Sequence, residues 1–233
     1  MREIFSKWIF LFCRFFVRCF SGRYHVSYQK ESLQAEAGPA VYVVHHQNLR
    51  GPVLSIAWFD KPLRPWVLST LCDRAGCFRQ YYAYTFTKRF GWPKWLAAVL
   101  AYPLSFGVAG LMRGTRAIPV FRGSRDIVRT FSKSVGALSE GQNILIAPDI
   151  DYQDSGAKMG KMYTGFLDLE KFYWRKTGKH LAFFPIHISK RRREIMVGKP
   201  VCFQMKDSYQ EEKRKVSAQL KQEFIILEKQ EGK

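Results

Sequence analysis

The sequence predicts an α/β fold: a mainly parallel central sheet flanked by helices, with an N-terminal amphipathic helix suited to a membrane interface. Three observations predict it. Short apolar runs alternate with helical stretches between residues 41 and 203, as in strands joined by crossover helices. The first twenty residues wrap aromatic and aliphatic side chains around a narrow charged stripe. Finally, 38 Lys and Arg against 19 Asp and Glu leave a net charge of +19, which calls for an anionic partner: nucleic acid, a membrane surface or a phosphorylated substrate. A hydrophobic share of 47% excludes an intrinsically disordered chain, and 233 residues suffice to bury one substantial core.

The first element is read from Glu3 to Phe20. On a helical wheel Glu3, Lys7, Arg14 and Arg18 fall within about 60° of one another, and nearly everything else is apolar. Its cations would each cost about 2.5–3.5 kcal/mol at the bilayer centre, so a spanning helix is disfavoured. A secretory signal would need an uninterrupted apolar run and a small-residue cleavage site, and the segment has neither. The pattern suits a helix lying in the interface, with Lys7, Trp8, Arg14 and Arg18 as membrane-binding residues; an ordinary core-packing helix is the alternative. Residues 1–22 are therefore expected to form an anchoring helix and residues 23–233 a single α/β domain. The five cysteines are too scattered for a zinc framework and read as reduced thiols, which suits a peripheral or monotopic protein on the cytoplasmic face of a membrane.

Val41–Val44 is a short apolar strand ending at His45-His46, and Gly51-Pro52 opens a helix through Trp58. Pro65–Ser69 is a second strand, and residues 79–90 are basic and rich in Tyr and Phe. Trp92–Met112 is nearly uncharged but interrupted by Pro103, Gly107 and Gly110, which predicts a broken helix pair. Ala117–Phe121, Asn143–Ala147 and Leu181–Ile188 are further strands, with helices at Asp126–Leu138 and Gly165–Lys176. Ile195–Val197 and Val201–Phe203 read as an antiparallel pair at the edge, with Lys190–Arg193 as a basic turn before them. Lys213–Leu227 closes the chain as a helix with Val216, Leu220, Phe224 and Leu227 on one face.

Ligands of such sheets bind at the carboxyl ends of the strands. Three polar loops fall there: His45-His46-Gln47-Asn48-Leu49-Arg50-Gly51-Pro52, Arg122-Gly123-Ser124-Arg125-Asp126, and Pro148-Asp149-Ile150-Asp151-Tyr152. Together they bring a histidine base, several arginines and paired carboxylates. No zinc-finger spacing, helix-turn-helix or base-stacking motif accompanies the positive charge, so nucleic acid is not the expected partner.

In order and spacing these loops resemble the motifs of the glycerophospholipid acyltransferases, typified by 1-acyl-glycerol-3-phosphate (lysophosphatidic acid) acyltransferases. The first family motif, N-H-x-x-x-x-D-P, is matched by H-H-Q-N-L-R-G-P, with His46 at the catalytic histidine. The second, ending G-x-I-P-V-x-R, is matched by Thr115–Arg122, with Arg122 at the phosphate-binding arginine. The third, F-P-E-G-T-R, is represented by Ala147–Tyr152, and the fourth, an apolar strand with V-P, by Phe184-Pro185-Ile186. The Pro-Asp-Ile-Asp piece is also similar to the related lipid A acyltransferases. His45-His46-x-x-x-Arg50-Gly51 resembles the H-H-x-x-x-D-G motif of a separate acyltransferase superfamily, whose proteins are larger and match nothing else here. Two departures stand out: Gly51 occupies the place of the histidine-orienting Asp, and Asp149 replaces Glu with Ile150-Asp151-Tyr152 behind it.

The resemblance implies transfer of a fatty acyl group from acyl-CoA or acyl carrier protein to the hydroxyl of lysophosphatidic acid, a related lysolipid or glycerol phosphate, in phospholipid biosynthesis. No metal or resident cofactor is implied. His46 is then the general base, kept neutral by the adjoining helix N-terminus and Arg50. Asp149 or Asp151 supplies the carboxylate that pins its ring, since Gly51 cannot. Substrate-binding falls to Arg50, to Gly51, whose neighbouring amides face the oxyanion, and to Arg122 and Arg125 on the phosphate. The alternative is a catalytically altered or inactive relative that binds anionic lipid. In this register an aspartate at position 51 should be tolerated.

Overall fold

A computed structural model of the chain describes residues 2–35, 38–121, 123, 125–150 and 159–231. In chain order the elements are α1 (Arg2–Ser21), β1 (His25–Tyr28), α2 (Lys30–Ala35), β2 (Val41–Val44), α3 (Arg50–Trp58), β3 (Leu63–Leu68), α4 (Ser69–Cys72) and α5 (Arg74–Arg79). A π-helical stretch (Gln80–Arg89) leads to α6 (Lys94–Gly114), β4 (Ile118–Val120), α7 (Ile127–Ser139) and β5 (Asn143–Ile146). A 3-10 turn (Thr164–Asp168) then precedes α8 (Leu169–Thr177), β6 (Phe183–Ser189), β7 (Glu194–Val197) and α9 (Tyr209–Glu231). The fold is α/β, with mixed but mostly parallel strand pairing and helices flanking it. The chain divides into two compact units, one of residues 1–16 and 64–130, the other of 17–63 and 131–233.

Among the described residues the larger unit holds five strands, in the order β1-β7-β6-β2-β5. Every pair is parallel except the β6–β7 hairpin, which turns through Lys190–Arg193. All residues of β2 and β6 are buried, which is why both read as continuous apolar runs rather than alternating ones. Tyr42 stacks on Phe184 of the neighbouring strand and packs edge-on against Phe59 beyond α3. The face of α9 is as expected: Val216, Leu220, Phe224 and Leu227 are all buried.

Two edge expectations are corrected. Val201 bridges Phe183 of β6 through paired main-chain bonds of 3.0 and 2.9 Å, so it is not a partner of β7. The second neighbour of β7 is β1, His25–Tyr28, whose mixed polar sequence shows no strand run of its own.

The smaller unit pairs β3 with β4 in parallel, Trp66 opposite Ile118, and surrounds them with α4–α6 and the first part of α1. Here too one expectation is corrected, because α6 is one continuous helix and not a broken pair. Pro103 removes a single hydrogen bond, to the carbonyl of exposed Val99, while the opposite stripe Ala97, Ala101, Ser105 and Ala109 is fully buried. Packing on that stripe outweighs the lost bond.

Candidate active site

The parallel register of β2 and β5 builds the site. Val41, Tyr42 and Val43 lie opposite Ile144, Leu145 and Ile146, so the two strands end side by side. Continued by two residues past Val43, the same register sets His45 level with Pro148; one more sets His46 level with Asp149. The Asp149 loop is itself held. Pro148 accepts the Tyr163 N–H at 2.8 Å and Ile150 donates to Lys161 at 3.1 Å, with Asp149 bridged to Met162 between them.

The carboxylate of Asp149 reaches both histidines. Oδ1 accepts a hydrogen bond from Nδ1 of His45, and Oδ2 accepts the main-chain N–H of His46 at 2.8 Å. Both side chains of the His45–Asp149 pair are 3% exposed. With Nδ1–H committed to the carboxylate, the lone pair of neutral His45 is on Nε2, the arrangement a general base requires.

His46 is fixed the other way round. The Leu49 N–H donates to its Nδ1 at 3.1 Å, so the proton of neutral His46 resides on Nε2. That bond belongs to an unusual turn in which Gln47, Asn48 and Leu49 have φ of 46°, 50° and 75°. Left-handed backbone costs an L-residue about 1–2 kcal/mol, so three in succession are held by their surroundings. Arg50 N–H to Gln47 O and Gly51 N–H to His46 O, both 3.2 Å, close the turn into α3. The buried side chain of Gln47 lies in this turn, and its Oε1 has no hydrogen-bond partner among the described residues.

Several expectations change accordingly. Asp149 pins the ring of His45, and what it gives His46 is a main-chain contact. The amide of Gly51 already donates within the turn and is not aimed at an oxyanion. Gly51 is present for steric reasons: a β-carbon there would sit 1.9 Å from the His45 carbonyl oxygen, so an aspartate is not accommodated. Arg50 is exposed at the start of α3, and Arg125 is exposed ahead of α7 in the smaller unit. Arg122 and Asp151 lie outside the described residues. Of the α1 residues, Lys7 and Trp8 are exposed and Arg14 is half-buried. The Arg18 Nε–H donates to Ala57 O at 2.8 Å with the guanidinium 4.9 Å above the Trp58 ring, so this cation is engaged by the protein.

His45 and Gln47 are the residues that sequence reasoning missed. The usable signal was the strand itself: His45 directly continues a fully buried run, so a polar ring there must find a buried partner. Among the described residues no group of three or more His, Cys, Asp or Glu side chains is placed to hold a metal ion. A groove lined by Tyr28, Arg192, Glu194 and Leu227 lies at the β1–β7 edge and includes neither histidine. Comparison of the chain with family models, with curated proteins and with solved structures finds no match.

Proposed function

We propose that this protein is an acyltransferase acting at a membrane surface, moving a fatty acyl group from a thioester of coenzyme A or acyl carrier protein to the hydroxyl of a lysophospholipid or glycerol phosphate. The observation that carries the reading is a histidine oriented by a buried aspartate where two adjacent parallel strands end, beside the start of α3. His45, rather than His46, then serves as the base, with Asp149 as its positioning carboxylate. Nε2 of His45 takes the proton of the acceptor hydroxyl as that oxygen attacks the thioester carbonyl. The new C–O bond forms, the C–S bond breaks, and the proton passes from the imidazolium to the departing thiolate. Asp149 holds the tautomer and stabilises the imidazolium in between. His46, with its proton on Nε2, is suited to donate to the oxyanion that develops on the carbonyl. Arginine suits the acceptor phosphate through its bidentate fork, and the family resemblance assigns that role to Arg122 and Arg125. The exposed apolar side chains of α1, with Lys7 among them, support attachment to an anionic leaflet.

The test supplies labelled acyl-CoA or acyl carrier protein together with a panel of lysolipids and glycerol phosphate. Transfer is expected with a phosphorylated acceptor, abolished by His45→Ala and lowered about 10²–10⁴-fold by Asp149→Asn, the range for loss of a base or its orienting partner. Unchanged turnover in His45→Ala overturns the assignment. Binding to anionic vesicles with no transfer from any donor would select the second reading, a non-catalytic lipid-binding relative, which the near-complete burial of His45 favours.

A further inference from the structure

The reaction above gives α6 no task, yet α6 is the most apolar long helix of the described chain. It has 21 residues, its mean hydropathy reaches 1.7, and its only charges are Lys94 and Arg113 near its ends. At 1.5 Å per residue it is about 31 Å long, enough to cross a bilayer. Only 28% of its apolar window is buried.

Its surroundings in the smaller unit argue for a different placement. The small-residue stripe from Ala97 to Ala109 packs inward. At its C-terminal end α6 is crossed closely by α1. A β-carbon on Gly114 would lie 2.3 Å from the Ser6 carbonyl oxygen, and one on Gly110 would lie 2.7 Å from Ile9 Cδ1. Arg113 Nε also reaches Ser6 Oγ at 3.3 Å. Near the middle of α6 the Arg74 guanidinium rests 3.5 Å over the Phe106 ring and 4.9 Å over that of Tyr102. A helix crossing the bilayer would carry that cation to the hydrocarbon midplane. A helix lying along the interface leaves it among headgroups.

The faces turned away from this packing are bare and aromatic. On α1, Trp8, Phe12 and Phe15 follow one another at helical spacing and are each more than 60% exposed. On α6, Trp95 and Val99 are equally exposed, with Phe106 continuing the same line. The unit that carries them contains 14 Lys and Arg but only three carboxylates, Glu3, Asp73 and Asp126. Cations around an aromatic face complement an anionic lipid leaflet. A second copy of the chain would oppose the same excess of positive charge.

We propose that α6 is the second half of the membrane seat: α1 and α6 lie together in the interface of one anionic leaflet, and α6 does not cross the bilayer. This rests on the reading that the protein works at a membrane but not on acyl transfer.

The full chain is floated with vesicles of phosphatidylcholine containing phosphatidylglycerol, and with phosphatidylcholine alone. Wild type is expected to float with the former and to bind the latter more weakly. Trp95→Ser/Val99→Ser and Trp8→Ser/Phe12→Ser are each expected to weaken binding tenfold or more, with unchanged circular dichroism and melting because these side chains are exposed. An α6 pair that binds as wild type overturns the proposal. So does a lipid-free dimer, seen by sedimentation, that the α6 pair dissociates, because the face would then cover a second copy. Depth is read from Tyr102→Trp: its added fluorescence should be quenched most by lipids brominated near the headgroup. Strongest quenching by lipids brominated near the chain ends would make α6 a spanning helix. Acyl transfer with short-chain soluble substrates should be unaffected by the α6 pair. Absent turnover alongside normal flotation would remove the acyltransferase reading and leave this one standing.

Discussion

Gly51 is the tightest point of the loop between His45 and α3. A β-carbon 1.9 Å from the His45 carbonyl oxygen meets backbone, which cannot swing aside as a side chain would. Gly51→Ala should therefore lower stability by about 3 kcal/mol or more, read from denaturant midpoints, and Gly51→Asp should fare worse. Nearby, Leu49 has φ of 75° and is exposed, so nothing in packing requires its side chain. Leu49→Gly should keep or raise stability, by up to about 1 kcal/mol, because glycine removes the left-handed penalty. The two histidines should also differ in tautomer. Nitrogen-15 NMR at neutral pH is expected to find the proton of His45 on Nδ1 and that of His46 on Nε2. The same tautomer at both rings would contradict the division into base and donor.

At the scale of an element, α9 is closed onto β6 by its last turn. Glu231 accepts from Ser189 Oγ at 2.6 Å and pairs with Nε2 of His187 at 2.7 Å. Burial, the largest influence on this carboxyl, pushes its pKa up; the hydrogen bonds from Ser189 and His187, with the charges of His187 and Arg191, outweigh it and hold the group below the ordinary glutamate value. A depressed folded pKa means that the contact stabilises fully above the unfolded value and is lost as pH falls through the folded one. Amide exchange should thus show the end of α9 loosening first on acidification below about pH 4, the ordinary range for an unfolded glutamate. Glu231→Gln should cost about 1.5–3 kcal/mol at neutral pH, the usual value for hydrogen bonds to a charged group, and flatten the acid limb of the stability curve. An unaltered acid limb in that variant would show that the latch does not govern the transition.

Across the whole molecule, α1 is a structural wall as well as a candidate anchor. Its first part closes over Gly110 and Gly114 in the smaller unit. In the larger unit Val17 packs on the core, and Ser21 Oγ accepts the Trp58 indole N–H at 2.9 Å. Deleting residues 2–21 should accordingly lower the melting temperature and promote aggregation, rather than release an intact soluble core. A truncated chain that melts as the full chain does would restore the picture of a detachable anchor.

The strands β2, β5 and β6, the helix α9 and the cationic excess were legible in the sequence, because each rests on local periodicity or on a count. Val41–Val44 is apolar at every position since both its faces are covered, and no partner need be known to see that. The three polar loops could likewise be placed at strand ends. The pairing inside the site could not. A parallel register joins residues about a hundred positions apart, and a shift of one residue would exchange the roles of His45 and His46. Only the observed alignment of Val43 with Ile146 puts Asp149 where one oxygen meets the His45 ring and the other the His46 amide. The same holds for Gly51, whose need for a missing side chain comes from the return of the chain past His45, and for β1, which is a strand because β7 offers it an edge. Local composition determined which segments are strands and helices; non-local pairing decided which atoms meet.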